Sequence, residues 1–246
     1  MDVGFKTDTG AKRSNNEDAF FVMMNDGIYI LADGVGGTNS GEIASRTAVN
    51  EVAQYFENKP LVATSKEEIC TEIFAAIKSA NDRVYKMSQK IAANRGMATT
   101  IVVACVRGKN LYVANVGDSR TYLYEKGTLS QVSEDHTYVN ALVKAGVISR
   151  EEAEHHMDKN MITKAVGAEK DIKPDFFHIT LTEEACLLLC TDGLYGEVPE
   201  EEIIRVFDEG MSMTETCDKL VEMANENGGH DNITVICIKL MEDEIR

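Results

Sequence analysis

The chain is short of positive charge. Its 246 residues carry 25 Lys and Arg against 41 Asp and Glu, a formal net charge of -16. Phosphate backbones need a basic face, so nucleic acid is excluded as the main partner. Anchoring on an anionic membrane is excluded for the same reason. A phosphorylated substrate is still allowed, because a bound cation reverses the local field. Long hydrophobic runs are missing too. The longest, such as residues 101–106, fall far short of the roughly 20 apolar residues of a membrane helix, so no membrane insertion is expected. The first residues, Met1-Asp2-Val3-Gly4-Phe5-Lys6, contain no apolar signal region. The six cysteines include no Cys-x-x-Cys pair, and most sit inside apolar runs. Reduced core thiols in a cytoplasmic protein are therefore expected, and a disulfide framework is not. There is no internal repeat and no Pro/Gly/Ser-rich linker, so one domain over 1–246 is expected.

What is present alternates between tight hairpins and amphipathic helices. Residues 20–24 and 28–32 flank Asn25-Asp26-Gly27, a hairpin signal. Residues 99–106 and 111–116 flank Arg107-Gly108-Lys109-Asn110, and 121–124 and 128–132 flank Glu125-Lys126-Gly127. Tight hairpins force antiparallel pairing and exclude a doubly wound parallel sheet. Ile69, Ile73, Ile77, Ala80, Val84, Met87 and Ile91 step by three and four, one face of a long helix. Ala44, Ala48, Val52, Tyr55 and Phe56 mark another helix face. Ser65/Glu68, Ser149/Glu152 and Ser212/Glu215 are capping-box pairs. Strand groups with separate helices predict an α+β layered domain. Residues 137–174 break the strand pattern and are expected to form a flap.

The chemistry gathers at strand ends. Asp33, Asp118 and Asp192 each close an apolar run, and Asp231 precedes one. Carboxylates collected there repel one another unless a hard divalent cation, which takes oxygen ligands, sits between them. Taken singly, Asp118, Asp192-Gly193 and Asp231-Asn232 also read as turn residues. Arg13 stands four and five residues before Glu17 and Asp18. Its planar fork suits phosphate, although a solvated loop is the plainer reading of that segment. The glycine-rich stretch from Asp33 to Glu42 is no nucleotide loop. A Walker loop counted from Gly36 needs Lys where Glu42 stands, and a dinucleotide fingerprint from Gly34 needs Gly where Asn39 stands. Cys186 and Cys190 share a strand face and read as core. His155 and His156 read as surface, and His136 as the tie of a loop.

In order along the chain come Arg13…Asn16-Glu17-Asp18, Leu31-Ala32-Asp33-Gly34-Val35-Gly36-Gly37, Gly96-Met97-Ala98-Thr99-Thr100, Asn115-Val116-Gly117-Asp118-Ser119-Arg120, Asp135-His136-Thr137, Thr191-Asp192-Gly193-Leu194 and Gly229-His230-Asp231-Asn232-Ile233-Thr234. This series resembles the protein phosphatase 2C (PPM) family of metal-dependent serine/threonine phosphatases. It is most similar to the bacterial branch that opposes eukaryotic-type Ser/Thr kinases. The resemblance implies a four-layer α-β-β-α sandwich, two antiparallel sheets flanked by helices, with a two-metal Mn²⁺ or Mg²⁺ centre at one end. It implies that Asp33 bridges both ions and that Asp192 and Asp231 complete one shell. The Gly34 carbonyl would bind the other ion, and Glu17 and Asp18 would act mainly through metal-bound waters. Asp118, with Asp192, would hold a third ion. Arg13, Asp18 and Asp33 are its implied catalytic residues, with Arg13 gripping the phosphate while a metal-bridging water attacks.

The resemblance also implies phosphorylated proteins as partners, a Ser/Thr kinase among them, and a monomer. No Cys-x5-Arg loop competes with this reading. Two departures stand out. Val35 and Thr38 occupy loop places where relatives often carry a histidine, which leaves the general acid unassigned. Lys159 in Asp158-Lys159-Asn160 stands where relatives often have arginine. The alternative is a non-catalytic phosphoprotein-binding module. Glu17, Asp33, Asp192 and Asp231 count against it, because such a module has no reason to hold repelling carboxylates together.

Overall fold

The computed structural model describes residues 1–35, 40–182 and 185–240. Gly36, Gly37, Thr38 and Asn39 of the glycine-rich stretch lie outside the described residues. A run such as Ile28-Tyr29-Ile30-Leu31-Ala32 has no polar face. It forms a stable strand only if both faces are covered, and that requirement builds four layers.

One sheet contains β1 (Asp2–Asp8), β7 (Arg120–Glu125), β8 (Thr128–Gln131), β10 (Cys186–Cys190) and β11 (Ile233–Lys239), in the order β1-β11-β10-β7-β8. The other contains β2 (Asp18–Met23), β3 (Ile28–Val35), β5 (Ile101–Arg107), β6 (Asn110–Val116) and β9 (Asp175–Thr180), in the order β2-β3-β5-β6-β9. The short β4 (Ala98–Thr99) pairs with β3. Every pairing is antiparallel. Tyr29, Leu31, Val102 and Ala104 pack between the sheets against Leu187, Leu189, Ile236 and Ile238. Their strand neighbours Ile28, Ile30, Ala32, Val103 and Cys105 point outward under α1 (Gly41–Asn58) and α2 (Lys66–Lys90). On the far side Leu188, Cys190, Val235 and Cys237 pack under α5 (Asp192–Tyr195), α6 (Glu200–Asp208) and α7 (Met213–Glu226). The expected α-β-β-α sandwich is what the chain adopts, and the pair Cys186/Cys190 lies in its core.

The hairpins form where the turn residues predict them. Gly27 adopts the left-handed conformation after a short 3-10 turn, and Glu125 pairs with Thr128 around Lys126 and Gly127, both at positive φ. Several expectations are corrected. The strand expected over 99–106 is broken at Thr100, because its N–H and hydroxyl are taken by the Asp33 backbone. Ile91 lies past the end of α2 and is exposed, so it leaves the helix face. The Ser149 and Ser212 capping boxes are complete, whereas at Ser65 only the bond from the Glu68 N–H forms. Among the described residues no helix is long and apolar enough to cross a membrane.

Residues 137–174 carry α3 (Tyr138–Lys144) and the short α4 (Arg150–Glu154). This segment is tied down at its neck by a Thr137↔Ile162 bridge and at its exit by Thr99↔Val166. Asn81 of α2, wholly buried, secures the exit. Its amide donates to the Glu169 and Lys170 carbonyls at 3.0 Å each and accepts from the Gly167 N–H at 2.7 Å. Asn81→Ala strands those groups. It is expected to cost about 1–3 kcal/mol in urea unfolding and to open 165–173 to limited proteolysis.

Candidate metal centre

Register brings the acids together. Asp18 of β2 is paired directly with Asp33 of β3, and Arg120, two residues after Asp118, pairs with Cys190, two before Asp192. Cys190 in turn pairs with Val235 of β11, the strand that Asp231 precedes. All of these positions fall at one end of the sandwich. A cavity of about 530 Å³ opens there, lined by Arg13, Glu17, Asp33, Gly34, Asp118, Asp192 and Asp231, with Asn160 and Ile162 of the segment 137–174 on its wall. Asp18 does not line it. Its carboxylate is buried beside the cavity and accepts from the Thr191 and Thr234 hydroxyls at 2.9 and 2.7 Å. Among the described residues no three acidic, histidine or cysteine side chains close into a preformed ligand set. Asp18 apart, the acids line one cavity, with Asp33 and Asp192 close enough to interact directly.

The residues that aim the acids come from distant segments. Asp33 is fixed by its own backbone: its N–H donates to Thr100 Oγ1, and its carbonyl accepts from the Thr100 N–H and the Thr99 hydroxyl. Asn232 Oδ1 accepts from the Glu17 N–H, and its amide donates to the Thr9 and Asn15 carbonyls. One side chain thus holds the N-terminal Arg13–Asp18 segment against the Asp231 turn. Sequence reasoning missed Thr99, Thr100, Thr191, Thr234 and Asn232 as positioning residues. Their only signal is that each lies in or next to a motif already singled out. Arg13 donates to Asp231 Oδ2 at 2.7 Å and to the His230 carbonyl, so its guanidinium stands over the acids. The glycines leave room for oxygens. A Cβ at Gly41 would lie 2.2 Å from Glu17 Oε2 and 2.8 Å from the Gly34 carbonyl, so those two oxygens converge on one point. Of the places considered for a general acid, Val35 lines the cavity and Thr38 lies outside the described residues. His230 opens onto the neighbouring cavity, its Nδ1 2.8 Å from Glu197.

Electrostatics shows the cost of this crowding. Burial, reinforced by the neighbouring carboxylates, raises the carboxyls of Asp18, Asp33 and Asp192 above their ordinary range. Burial and Asp192 raise Asp118 to about 7. Glu17 is raised by burial, with Arg13 opposing. Asp18 Oδ1 and Asp192 Oδ1 are buried with no hydrogen-bond donor. Unpaired, buried, anionic oxygen is the donor set of a hard divalent cation. The folded state therefore holds protons that the unfolded chain has released above an ordinary aspartate value of 3.8. Stability from these groups falls as pH rises from about 4 towards 7. In chelator, the melting temperature is expected to drop across that window, a loss on the order of a few kcal/mol. Millimolar Mn²⁺ should flatten the profile.

The family model of protein phosphatase 2C matches residues 9–228. The serine/threonine phosphatase stp of Listeria welshimeri is 37% identical over 242 residues, 97% of this chain and 96% of that protein. The crystal structure of the serine/threonine phosphatase Stp1 from Staphylococcus aureus superposes with a TM-score of 0.91 at 36% identity, covering 98% of this chain and 95% of that one. The catalytic domain of the serine/threonine protein phosphatase PstP, solved with 2 manganese ions, gives 0.86 at 29% identity, covering 98% of each chain. Sequence and fold agree along nearly the whole chain, and it belongs to the protein phosphatase 2C family.

Proposed function

We propose that this protein is a metal-dependent serine/threonine phosphatase that hydrolyses phosphoserine and phosphothreonine in proteins. The single observation that carries the reading is the set of Asp33, Asp118, Asp192 and Asp231 around one cavity with Arg13 at its rim. Names of relatives such as the Listeria phosphatase and Stp1 support the substrate class.

The residues fit the cations the family uses. Asp33, Asp192 and Asp231 would hold one Mn²⁺ or Mg²⁺, with Asp33 shared with a second held by the Gly34 carbonyl and, through water, by Glu17 and Asp18. Asp118 with Asp192 would take a third. A hard ion draws much of its shell from carbonyls and water, so a closed side-chain set is not required. Bound there, such ions would supply Lewis acidity: they would lower the pKa of a water serving as nucleophile and offset charge on the phosphoryl oxygens.

The chain's own groups supply the rest. Arg13 presents a delocalised fork that can leave Asp231 for a phosphate oxygen. Thr191 and Thr234 hold Asp18 in place, and the Thr99–Thr100 bonds fix the Asp33 backbone, so the acids need no reorganisation during reaction. Residues 137–174 act as a flap that brings Asn160 and Ile162 to the substrate. The chain works as one catalytic domain and as a monomer. Its buried free thiols and strong negative charge suit the cytoplasm, where it would oppose a Ser/Thr kinase.

A phosphothreonine peptide is expected to be turned over with Mn²⁺ and spared in EDTA. Asp33→Ala should lower kcat by about 100-fold or more. Arg13→Ala should raise KM by about 10-fold while metal binding, followed by calorimetry, persists. Full metal-dependent turnover by Asp33→Ala would sink the reading. A non-catalytic module would bind no divalent ion in the millimolar range.

A further inference from the structure

His136 is buried and lies beyond the β7–β8 hairpin from Asp118, yet it bonds to the turn that carries Asp118. Its Nδ1 lies 3.1 Å from the Gly117 N–H. A backbone N–H can only donate, so Nδ1 carries no proton and is the acceptor. Nε2 then carries the ring proton, and it lies 3.1 Å from Asp175 Oδ2 of β9. Lys164 Nζ lies 3.2 Å from both the other Asp175 oxygen and Nε2; an ammonium only donates, so beside a protonated Nε2 its bond goes to the carboxylate. Burial lowers the basicity of the imidazole, in keeping with a neutral ring.

The backbone of His136 completes the connection. Its N–H donates to the Gly117 carbonyl at 2.9 Å, and its carbonyl accepts from the Thr163 N–H at 2.7 Å and the Thr163 hydroxyl at 3.0 Å. Thr163 follows Ile162, which lines the cavity together with Asp118. Asn115 also donates to the Gly117 carbonyl. Gly117 has φ +104°, and a Cβ there would strike the Thr100 side chain at 2.5 Å. The turn is therefore held in a conformation that an ordinary residue rarely adopts, against the threonine that fixes Asp33. Tyr195 holds the next residue from the opposite side, its hydroxyl donating to the Asp118 carbonyl at 3.0 Å.

We propose that His136 is a positioning residue of the catalytic centre: its ring sets the Gly117–Asp118 turn so that Asp118 faces the cavity, and its carbonyl ties that turn to the returning limb of the flap. Acid and flap are thereby placed by one residue. The inference rests on the phosphatase reading and adds to it a residue that touches neither substrate nor cation.

The two ring nitrogens can be tested apart. Asn places its Oδ1 where Nδ1 stands, so His136→Asn keeps the acceptor for Gly117 and loses Asp175. Gln places its amide near Nε2, so His136→Gln keeps Asp175 and loses Gly117. With p-nitrophenyl phosphate and Mn²⁺, His136→Gln is expected to lose about 10- to 100-fold in kcat, to need more Mn²⁺ for half-maximal rate and to keep its KM. His136→Asn should stay within about threefold of wild type. Hydrogen exchange at the Gly117 amide, measured without metal, should quicken in His136→Gln alone.

Equal losses in the two variants, or equal retention, would overturn the proposal. So would ¹⁵N-histidine spectra of the unaltered protein showing a protonated Nδ1, a reading that needs no variant to fold. Wild-type protein without any turnover would defeat the phosphatase reading instead. The exchange and ¹⁵N measurements would then still decide whether the ring sets the turn.

Discussion

Mutual repulsion among buried carboxylates is the constraint around which the rest of this molecule is arranged. Asp18, Asp33, Asp118 and Asp192 are each driven towards the protonated form by burial first and then by neighbouring carboxylates, Asp231 among them. No packing advantage collects such groups at one end of a sandwich. The hydrophobic layers supply the driving force of folding, and part of it is used to hold the acids where they would not gather unaided. The polar residues around them follow from that strain. Thr99, Thr100, Thr191, Thr234 and Asn232 are short, hydrogen-bonding side chains that fix backbone or carboxylate without adding charge.

The layered architecture explains how so few residues suffice. Antiparallel register places Asp18 opposite Asp33 and aligns the ends of β7, β10 and β11. The acids of each sheet therefore arrive at the cavity by pairing geometry, and the loops need only short excursions. The segment 137–174 is the exception. It leaves the sheets at Thr137, carries two short helices and returns at Ile162, held by bridges and by buried Asn81.

Much of this was legible in the sequence because the signals are local. Asn25-Asp26-Gly27 and Lys126-Gly127 announce their turns, and unbroken apolar runs announce strands covered on both faces. The acids Asp33, Asp118, Asp192 and Asp231 stand out because each ends or begins such a run. What escaped is non-local or polar. β1 carries Lys6, Thr7 and Asp8 and shows no apolar run, since an edge strand with one covered face needs none. The partners of Asp18 lie 173 and 216 residues away. No spacing rule connects them, so its place beside the cavity could not be read. The break at Thr100 has the same origin, a hydrogen bond to a residue 67 positions earlier.

Asp18 has a mechanical consequence as well. It belongs to the β2-β3 sheet, while both hydroxyls that hold it belong to the other sheet, from Thr191 beside β10 and Thr234 in β11. The interior between the sheets is mainly aliphatic and aromatic, and the other buried polar link across it at this end is the Thr100–Ser119 hydroxyl pair; apolar packing is non-directional and resists separation better than sliding. At this end the carboxylate acts as a dowel. Sliding of one sheet past the other would stretch these two bonds together with the Thr100–Ser119 pair, and would misalign the cavity. The alignment of the acids is thus a gauge of shear across the whole sandwich. A substitution deep between the sheets, remote from every acid, can reach the cavity by changing how the sheets slide.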